Sequence, residues 1–324
     1  MAVTVGYNYA KRILLLHFSQ SGQLSEVVRS ISEPLRASPD ITLTCENLQP
    51  LEPFPFPWPF FTFFDTFPET VYMQPRPIEP LASAGEDFDL VILAYQVWFL
   101  SPAQPMTAFL QSEDARALLR DKPVVTVIAC RNMWLMAQET VKAQLAELGA
   151  HLVDNVVLTD EAGTGASFFA TPLWLLTGNK GPFLGGLIPA AGVSRDRIRA
   201  ASRFGEAIAA QLPRRQPGDT RPMLSGMGAV SINENLIASE RIALRSFRLW
   251  GGLLRALGRP GNPLRRLVLL IYVLFLVTMI ATVVPVTSVL KRLSAPLMRG
   301  RIEEQRRYYA APSGEYAASG CTAK

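Results

Sequence analysis

Residues 11–26 read KRILLLHFSQSGQLSE, a strand that runs into a polar, glycine-containing turn and then into a helix. Residues 12–18 are a short apolar run rich in branched side chains, the pattern of a strand buried on both faces. The run stops at Ser19, Gln20, Ser21, Gly22 and Gln23. Leu24, Val27, Val28, Ile31 and Leu35 then follow at helical spacing. A strand, a hydroxyl-and-glycine turn and a helix start together make an anion pocket. Free backbone N–H groups and the helix dipole converge there, Ser19 and Ser21 add hydroxyl donors, and Gly22 lets the backbone come close. The same turn also serves α/β proteins purely for packing, so function depends on what else reaches that edge.

Working outward, residues 41–44 alternate into Cys45 and Glu46 as a second strand, and residues 88–95, FDLVILAY, are a third. A helix is expected over 105–111. Lys122-Pro123 introduces a fourth strand over 124–129, and a helix follows to about Leu148, stopped by Gly149. Residues 152–158 are the fifth strand, and 194–212 close as an amphipathic helix capped by Ser194. Apolar strands alternating with helices predict an α/β fold, a doubly wound five-stranded parallel sheet in the order 2-1-3-4-5. Ligands of such sheets bind beyond the carboxyl ends of the strands. The loops opening there are FSQSGQL, YQVWFLSP and CRNMW. They hold what flavin mononucleotide (FMN) needs: donors for a phosphate, and aromatics beside a flat apolar ring.

Two stretches break the alternation. Residues 48–80 interleave Pro50, Pro53, Pro55, Pro57 and Pro59 with Phe54, Phe56, Trp58, Phe60, Phe61, Phe63 and Phe64. Proline at that density excludes a regular helix or central strand. The stretch is a loop over its own core, an apolar lid over a greasy substrate or bilayer, or a linker. Residues 160–190 are a second aromatic-rich excursion. The expected organisation is a domain over 1–213 carrying both insertions, a linker and amphipathic basic segment over 214–263, a membrane-embedded or transmembrane helix over 264–292, and a loosely ending basic tail over 293–324.

The chain has 324 residues and a net charge of +5. From residue 241 onward 14 Lys/Arg face 3 Asp/Glu, whereas the first 240 residues carry 18 against 24. Residues 267–290 are 24 residues without a charge, flanked by Arg265-Arg266 and Lys291-Arg292. As a helix they reach about 36 Å, enough for a hydrocarbon core of roughly 30 Å, though Pro285 leaves room for a re-entrant or interfacial segment. The basic residues cluster around this span, where lipid headgroups account for them, and nucleic acid is not an expected partner. Three scattered cysteines fit a reducing compartment, and only His17 and His151 are present, which excludes a histidine-rich metal site. His17 reads as a packed strand-end residue and His151 as lying away from the site. The first residues lack the apolar run of a signal peptide.

Over residues 11–212 the chain resembles the flavodoxin-like superfamily, including its NAD(P)H-dependent oxidoreductase branches. Ser19, Ser21 and Gly22 match that family's phosphate loop, with Leu24 in place of its last hydroxyl. The resemblance makes Ser19, Gln20, Ser21, Gly22, Gln23 and Leu24 the phosphate side of a site, and Gln96, Trp98 and Phe99 its ring side. Gln96 stands where relatives often have proline. HFSQSGQL, YQVWFLSP, KPVVTVIACRNMW with AQETVK, and LTGNK resemble the bacterial dialkylresorcinol condensing enzyme family, associated with resorcinol lipids and flexirubin-type aryl-polyene pigments. That implies an enzyme acting on a lipid-like aromatic or polyketide intermediate, with a separate ketosynthase and acyl carrier protein, at the cytoplasmic face of the inner membrane. Cofactors implied are FMN and NAD(P)H. Arg131 and Asn132 are the polar pair expected at the reacting end, holding a carbonyl, a flavin edge or a phosphate. Cys130, at a strand end beside a helix start, is expected to have a lowered pKa. The alternatives are a cofactor-free cyclase or aromatase, and a non-catalytic membrane scaffold for the ketosynthase.

Overall fold

The computed structural model describes residues 10–160, 167–294 and 299–314. The first apolar run is β1, Lys11–His17. Its side chains alternate between two cores, Leu14 and Leu16 on one face and Ile13 and Leu15 on the other, which is why it reads as continuously apolar. β2 is Ile41–Asn47, β3 Leu90–Tyr95, β4 Pro123–Cys130 and β5 His151–Thr159. They pair in parallel in the order β2-β1-β3-β4-β5, the flavodoxin-like doubly wound arrangement, with one bulge between β4 and β5. The ends of β1, β3 and β4 therefore lie side by side at the carboxyl edge.

The helix after the first turn is α1, Gln23–Ala37, with Leu24, Val27, Ile31 and Leu35 buried on its inner stripe. The proline-rich stretch departs from expectation. It contains two short helices, α2 Phe60–Asp65 and α3 Phe67–Val71. Residues 60–67 hold no proline, and Pro68 sits in the first turn of α3, where its missing N–H breaks nothing. The helix expected over 105–111 is α4, Gln104–Leu110. A further one that the sequence reading passed over, α5 Glu113–Leu119, starts on Ser112, whose Oγ accepts from the Ala115 N–H at 3.1 Å. α6 is Leu135–Glu147, and the second excursion contains α7, Ser167–Thr177. The expected helix over 194–212 is capped by Ser194 but broken into α8 Arg195–Ala200 and α9 Ser202–Gln211. Beyond the break α9 lies on α1 at Gly205, where a Cβ would collide with the Ile31 carbonyl oxygen.

Three more helices follow: α10 Glu234–Ala256, α11 Pro263–Ser294 and α12 Arg299–Ala310. α10 and α11 form a hairpin against α2 and α3, with Phe67, Leu254, Leu269 and Tyr272 at its centre. Arg265 pins that hairpin. Its side chain is wholly buried and makes five hydrogen bonds. Nε donates to Asp65 Oδ1 at 2.6 Å, the two terminal nitrogens to both oxygens of Glu69 at 2.9 and 2.7 Å, and the last two go to the Gly258 and Asp65 carbonyls. Where the sequence offers only a basic tail, α12 packs beside α10 and delivers Ser313, itself buried, to the bulge of β5. There Ser313 Oγ donates to Asp154 Oδ1 at 2.7 Å and accepts the Asn155 N–H at 2.6 Å. Asp154 also accepts the N–H groups of Met223 and Leu224. Together with the Val157 N–H to Ala229 carbonyl bond, these contacts cover the free edge of the sheet.

Removing Arg265 leaves two buried carboxylates without a counter-charge. Arg265→Met should lower stability by about 3–5 kcal/mol, with most of it recovered when Asp65→Asn and Glu69→Gln are added. Denaturant titration in mild detergent checks this. An Arg265→Met chain as stable as the parent contradicts the assignment.

Candidate functional site at the carboxyl edge of the sheet

The turn after β1 begins with Phe18, packed edge-on to Trp98 at 5.8 Å, and ends on Gly22 at φ 80°, ψ −16°. That left-handed conformation is strained for any side chain, and Gly22 is exposed. Among the described residues no side chain caps the start of α1, which leaves its first N–H groups to a ligand. Beside them the Ser19 Oγ is buried and has no hydrogen-bond partner among the described residues. A buried hydroxyl left this way costs about 1–3 kcal/mol, and a phosphate oxygen would relieve it. Ser21 is half-buried next to Gly22. Leu24 is fully buried core, so only its backbone faces the turn's chemistry.

The two glutamines of this turn hold it in place. The Gln20 N–H donates to Gln96 Oε1 at 2.9 Å, joining the first loop to the loop after β3. Gln20 Nε2 donates to the Pro55 and Phe54 carbonyls at 2.7 and 3.2 Å, which fastens the proline-rich insertion over the turn. Gln23 Nε2 reaches the Val193 carbonyl at 3.3 Å, on the segment that returns from the second excursion.

The loop after β3 folds back as a two-residue ribbon, Val97–Trp98 against Ser101–Pro102, turning at Phe99 and Leu100 with φ of 49° and 63°. Trp98 lies edge-on to Phe54 at 5.0 Å and Trp58 at 5.6 Å and keeps part of its surface open. Phe99 points elsewhere. Its ring meets Phe63, Phe67 and Phe247 beneath the α10–α11 hairpin. The structure thus brings Ser19, Gln20, Ser21, Gly22, Gln23, Gln96 and Trp98 together and takes Phe99 into a separate aromatic cluster.

At the third loop, the Asp160 N–H donates to the carbonyls of Cys130 and Arg131, and Asp160 Oδ2 accepts the Gly192 N–H at 2.9 Å. Burial lowers the Arg131 guanidinium to about 10, opposed by the Asp160 charge. Asn132 is half-buried beside it. The expected activation of Cys130 is reversed. Burial, with the carboxylates of Glu240 and Asp160, pushes its thiol well above the usual range, so it is no thiolate nucleophile near neutral pH. His17 is half-buried with Nδ1 3.2 Å from the Glu46 carbonyl, its pKa lowered by burial, and His151 is exposed at the far edge. Among the described residues no cluster of His, Cys, Asp and Glu fits a metal ion.

Glu240 was not singled out by the sequence reading, which treated the stretch before the apolar span as a basic linker. Its fully buried carboxylate accepts the Trp134 N–H at 3.1 Å and the Met136 N–H at 3.1 Å, closing the start of α6 that no local side chain caps. Burial raises its pKa to about 7, against the lowering effect of those N–H donors. It ties α10 to the loop carrying Arg131 and Asn132.

No family model matches this chain, and no curated protein does. Among solved structures it is similar to a flavoprotein in complex with FMN from Lactobacillus acidophilus NCFM (15% identity, TM-score 0.36, 46% of this chain and 93% of that one). It is also similar to a flavodoxin, WrbA-like protein from Agrobacterium tumefaciens (10% identity, TM-score 0.37, covering 63% and 98%) and to a Streptococcus pneumonia TIGR4 flavodoxin (13% identity, TM-score 0.34, covering 62% and 99%). The fold class stands on the strand order and parallel pairing given above.

The raised Glu240 pKa sets a direction for stability. The folded chain holds a proton that the unfolded chain releases above its ordinary value of 4.5, so this contribution is full below that value and is lost as pH rises through about 7. Glu240→Gln should remove a pH dependence of about 3 kcal/mol at most. Denaturation midpoints of both chains across that range check it; parallel profiles contradict it.

Proposed function

We propose that this chain is an FMN-dependent oxidoreductase that works on a lipid-like aromatic or polyketide intermediate, alongside a separate ketosynthase and acyl carrier protein. The observation that carries the reading is the buried, unpartnered Ser19 hydroxyl beside the uncapped start of α1 at Gly22. Ser19, Ser21 and the N–H groups at the start of α1 would hold the phosphate, and Gln96 and Trp98 would border the ring. When bound, the flavin would supply hydride or electron transfer, with NAD(P)H as the proposed donor.

The chain's own residues orient and shield. Gln20 and Gln96 hold the first and second loops in register. Phe54 and Trp58 cover Trp98 and keep water from that wall of the crevice. Arg131 offers a guanidinium to a substrate carbonyl, steadied by the Asp160 charge. An insertion with this many aromatic rings suits an apolar substrate, which supports the dialkylresorcinol-type assignment and a site at the cytoplasmic face of the inner membrane. A second reading, a cofactor-free cyclase or aromatase, is favoured by one fact: Phe18, Phe54 and Trp58 already pack on Trp98, where a flavin ring would need room.

The test is a titration of detergent-purified full-length chain with FMN and with riboflavin, read by absorbance and fluorescence quenching. FMN should bind with a spectral shift. Ser21→Asp, which sets a carboxylate against the phosphate, should weaken FMN at least about tenfold and riboflavin much less, a difference of about 1.4 kcal/mol or more. No FMN binding by the parent chain overturns the oxidoreductase reading and leaves the cyclase, or a scaffold, to be separated by activity.

A further inference from the structure

The outward face of α11 is apolar. Leu264, Leu267, Leu270, Ile271 and Leu274 are 44–69% exposed, while Arg265, Leu269 and Tyr272 form the inward stripe against the domain. A soluble surface helix sets polar residues opposite its buried stripe. Here both stripes are apolar, and the same face continues onto α10 through Leu249, 76% exposed. The surrounding charge has one sign: residues 241–302 contain 11 Lys/Arg and no Asp/Glu. An apolar surface ringed only by cations is complementary to one occupant, an anionic lipid surface.

A helix of 32 residues reaches about 48 Å, so length alone permits a crossing. The flanks forbid it. Before the apolar run, Arg265 is locked onto Asp65 and Glu69 of the globular domain. After it, α12 is fastened to the same body. Arg241 Nε and a terminal nitrogen donate to Tyr309 Oη at 3.2 and 2.9 Å, and Tyr308 Oη donates to Glu139 at 2.6 Å. Ser313 is then buried in the β5 bulge. A chain that crossed at α11 would have to return through the bilayer in α12. That helix holds six charged residues in twelve, each costing about 2.5–3.5 kcal/mol at the membrane centre. It does not recross.

We infer that α11 lies within one leaflet as a monotopic anchor, both flanks on the same side, with its outward leucines in the acyl region and the exposed Arg259 and Arg266 on anionic headgroups. The inference deepens the membrane association of the proposed function and is independent of flavin. It also turns the surface carrying Phe60 and Phe61, with Arg266 5.7 Å above the Phe61 ring, toward the lipid.

The test uses the full chain bound to sealed vesicles of phosphatidylcholine and phosphatidylglycerol. Cys45, Cys130 and Cys321 are replaced by alanine, and Ala117→Cys on α5 and Glu304→Cys on α12, both exposed, are added. A membrane-impermeant maleimide should give chains with two labels or none by intact mass. Chains carrying one label, with the other site reached only after detergent, show a crossing and overturn the inference. So does a chain that fails to float with the vesicles, or one that stays a discrete soluble dimer. Trypsin added outside vesicles carrying the unaltered chain gives a second reading that needs no substitution: it should cut the domain and α12 alike, and sparing α12 alone overturns the inference. FMN titration on the same vesicles separates the two proposals, because loss of flavin binding leaves the labelling pattern unchanged.

Discussion

A guanidinium with no exposed surface cannot be left unpaired, and Arg265 meets that demand across the whole length of the chain. Its partners Asp65 and Glu69 lie in the proline-rich insertion, 200 and 196 residues earlier. Asp65 also accepts the Gly261 N–H at 2.7 Å, so the turn between α10 and α11 is fixed by the same carboxylate. The pair therefore joins the segment over the crevice to the hairpin with the apolar face. Desolvating these charges is offset by complete hydrogen bonding, and the gain is a defined position more than net stability. It adds to the Gln20 contacts that hold the insertion and the Glu240 contacts that hold α10.

The sheet supplies the other constraint. Because β1, β3 and β4 are neighbours, their loops meet at one edge, and side chains far apart in sequence come within hydrogen-bond reach, as Gln20 and Gln96 do at 2.9 Å. The proposed phosphate end is built from backbone and hydroxyls, which need only the strand–turn–helix geometry. The proposed ring end is built from side chains that pack on the insertion. Trp98 is held by three aromatic rings, so any flat ligand must share that wall with Phe54 and Trp58. Glu240 and Asp160 brace the third loop from behind, and burial, with their charges, suppresses thiolate formation at Cys130.

β1, β3, β4 and β5 were legible because their middles are buried on both faces, which gives runs such as LVILAY and VVTVIA, whereas β2 at the sheet edge showed as an alternation. The β1–α1 turn was legible for the same local reason, since Gly22 follows a hydroxyl-rich turn and precedes a clear helical stripe. What escaped depends on tertiary neighbours. Nothing in a window around Glu240 shows that it will close α6 from 100 residues away, and nothing around Ser313 shows that it will enter β5. Cys130 looked activated because the start of a helix favours a thiolate. Here the thiol is buried, and that burial, with the Glu240 and Asp160 carboxylates behind it, reverses the sign. The helices in the insertion were missed because proline was weighed over the whole stretch, when residues 60–74 contain only Pro68, in the first turn of α3. The apolar span was plain, whereas the return of α12 to the same body required the contacts of Tyr308, Tyr309 and Ser313.

The central claim is that the turn at Gly22 is the phosphate end of a flavin crevice. Amide hydrogen exchange of the full chain, with and without FMN, tests it most directly. The account predicts slower exchange at Gly22, Gln23 and Leu24 and in the ribbon at Trp98, with no change at the opposite edge around Asp89 and Lys122. Exchange unaltered at the turn, or protection confined to some other surface, would contradict it.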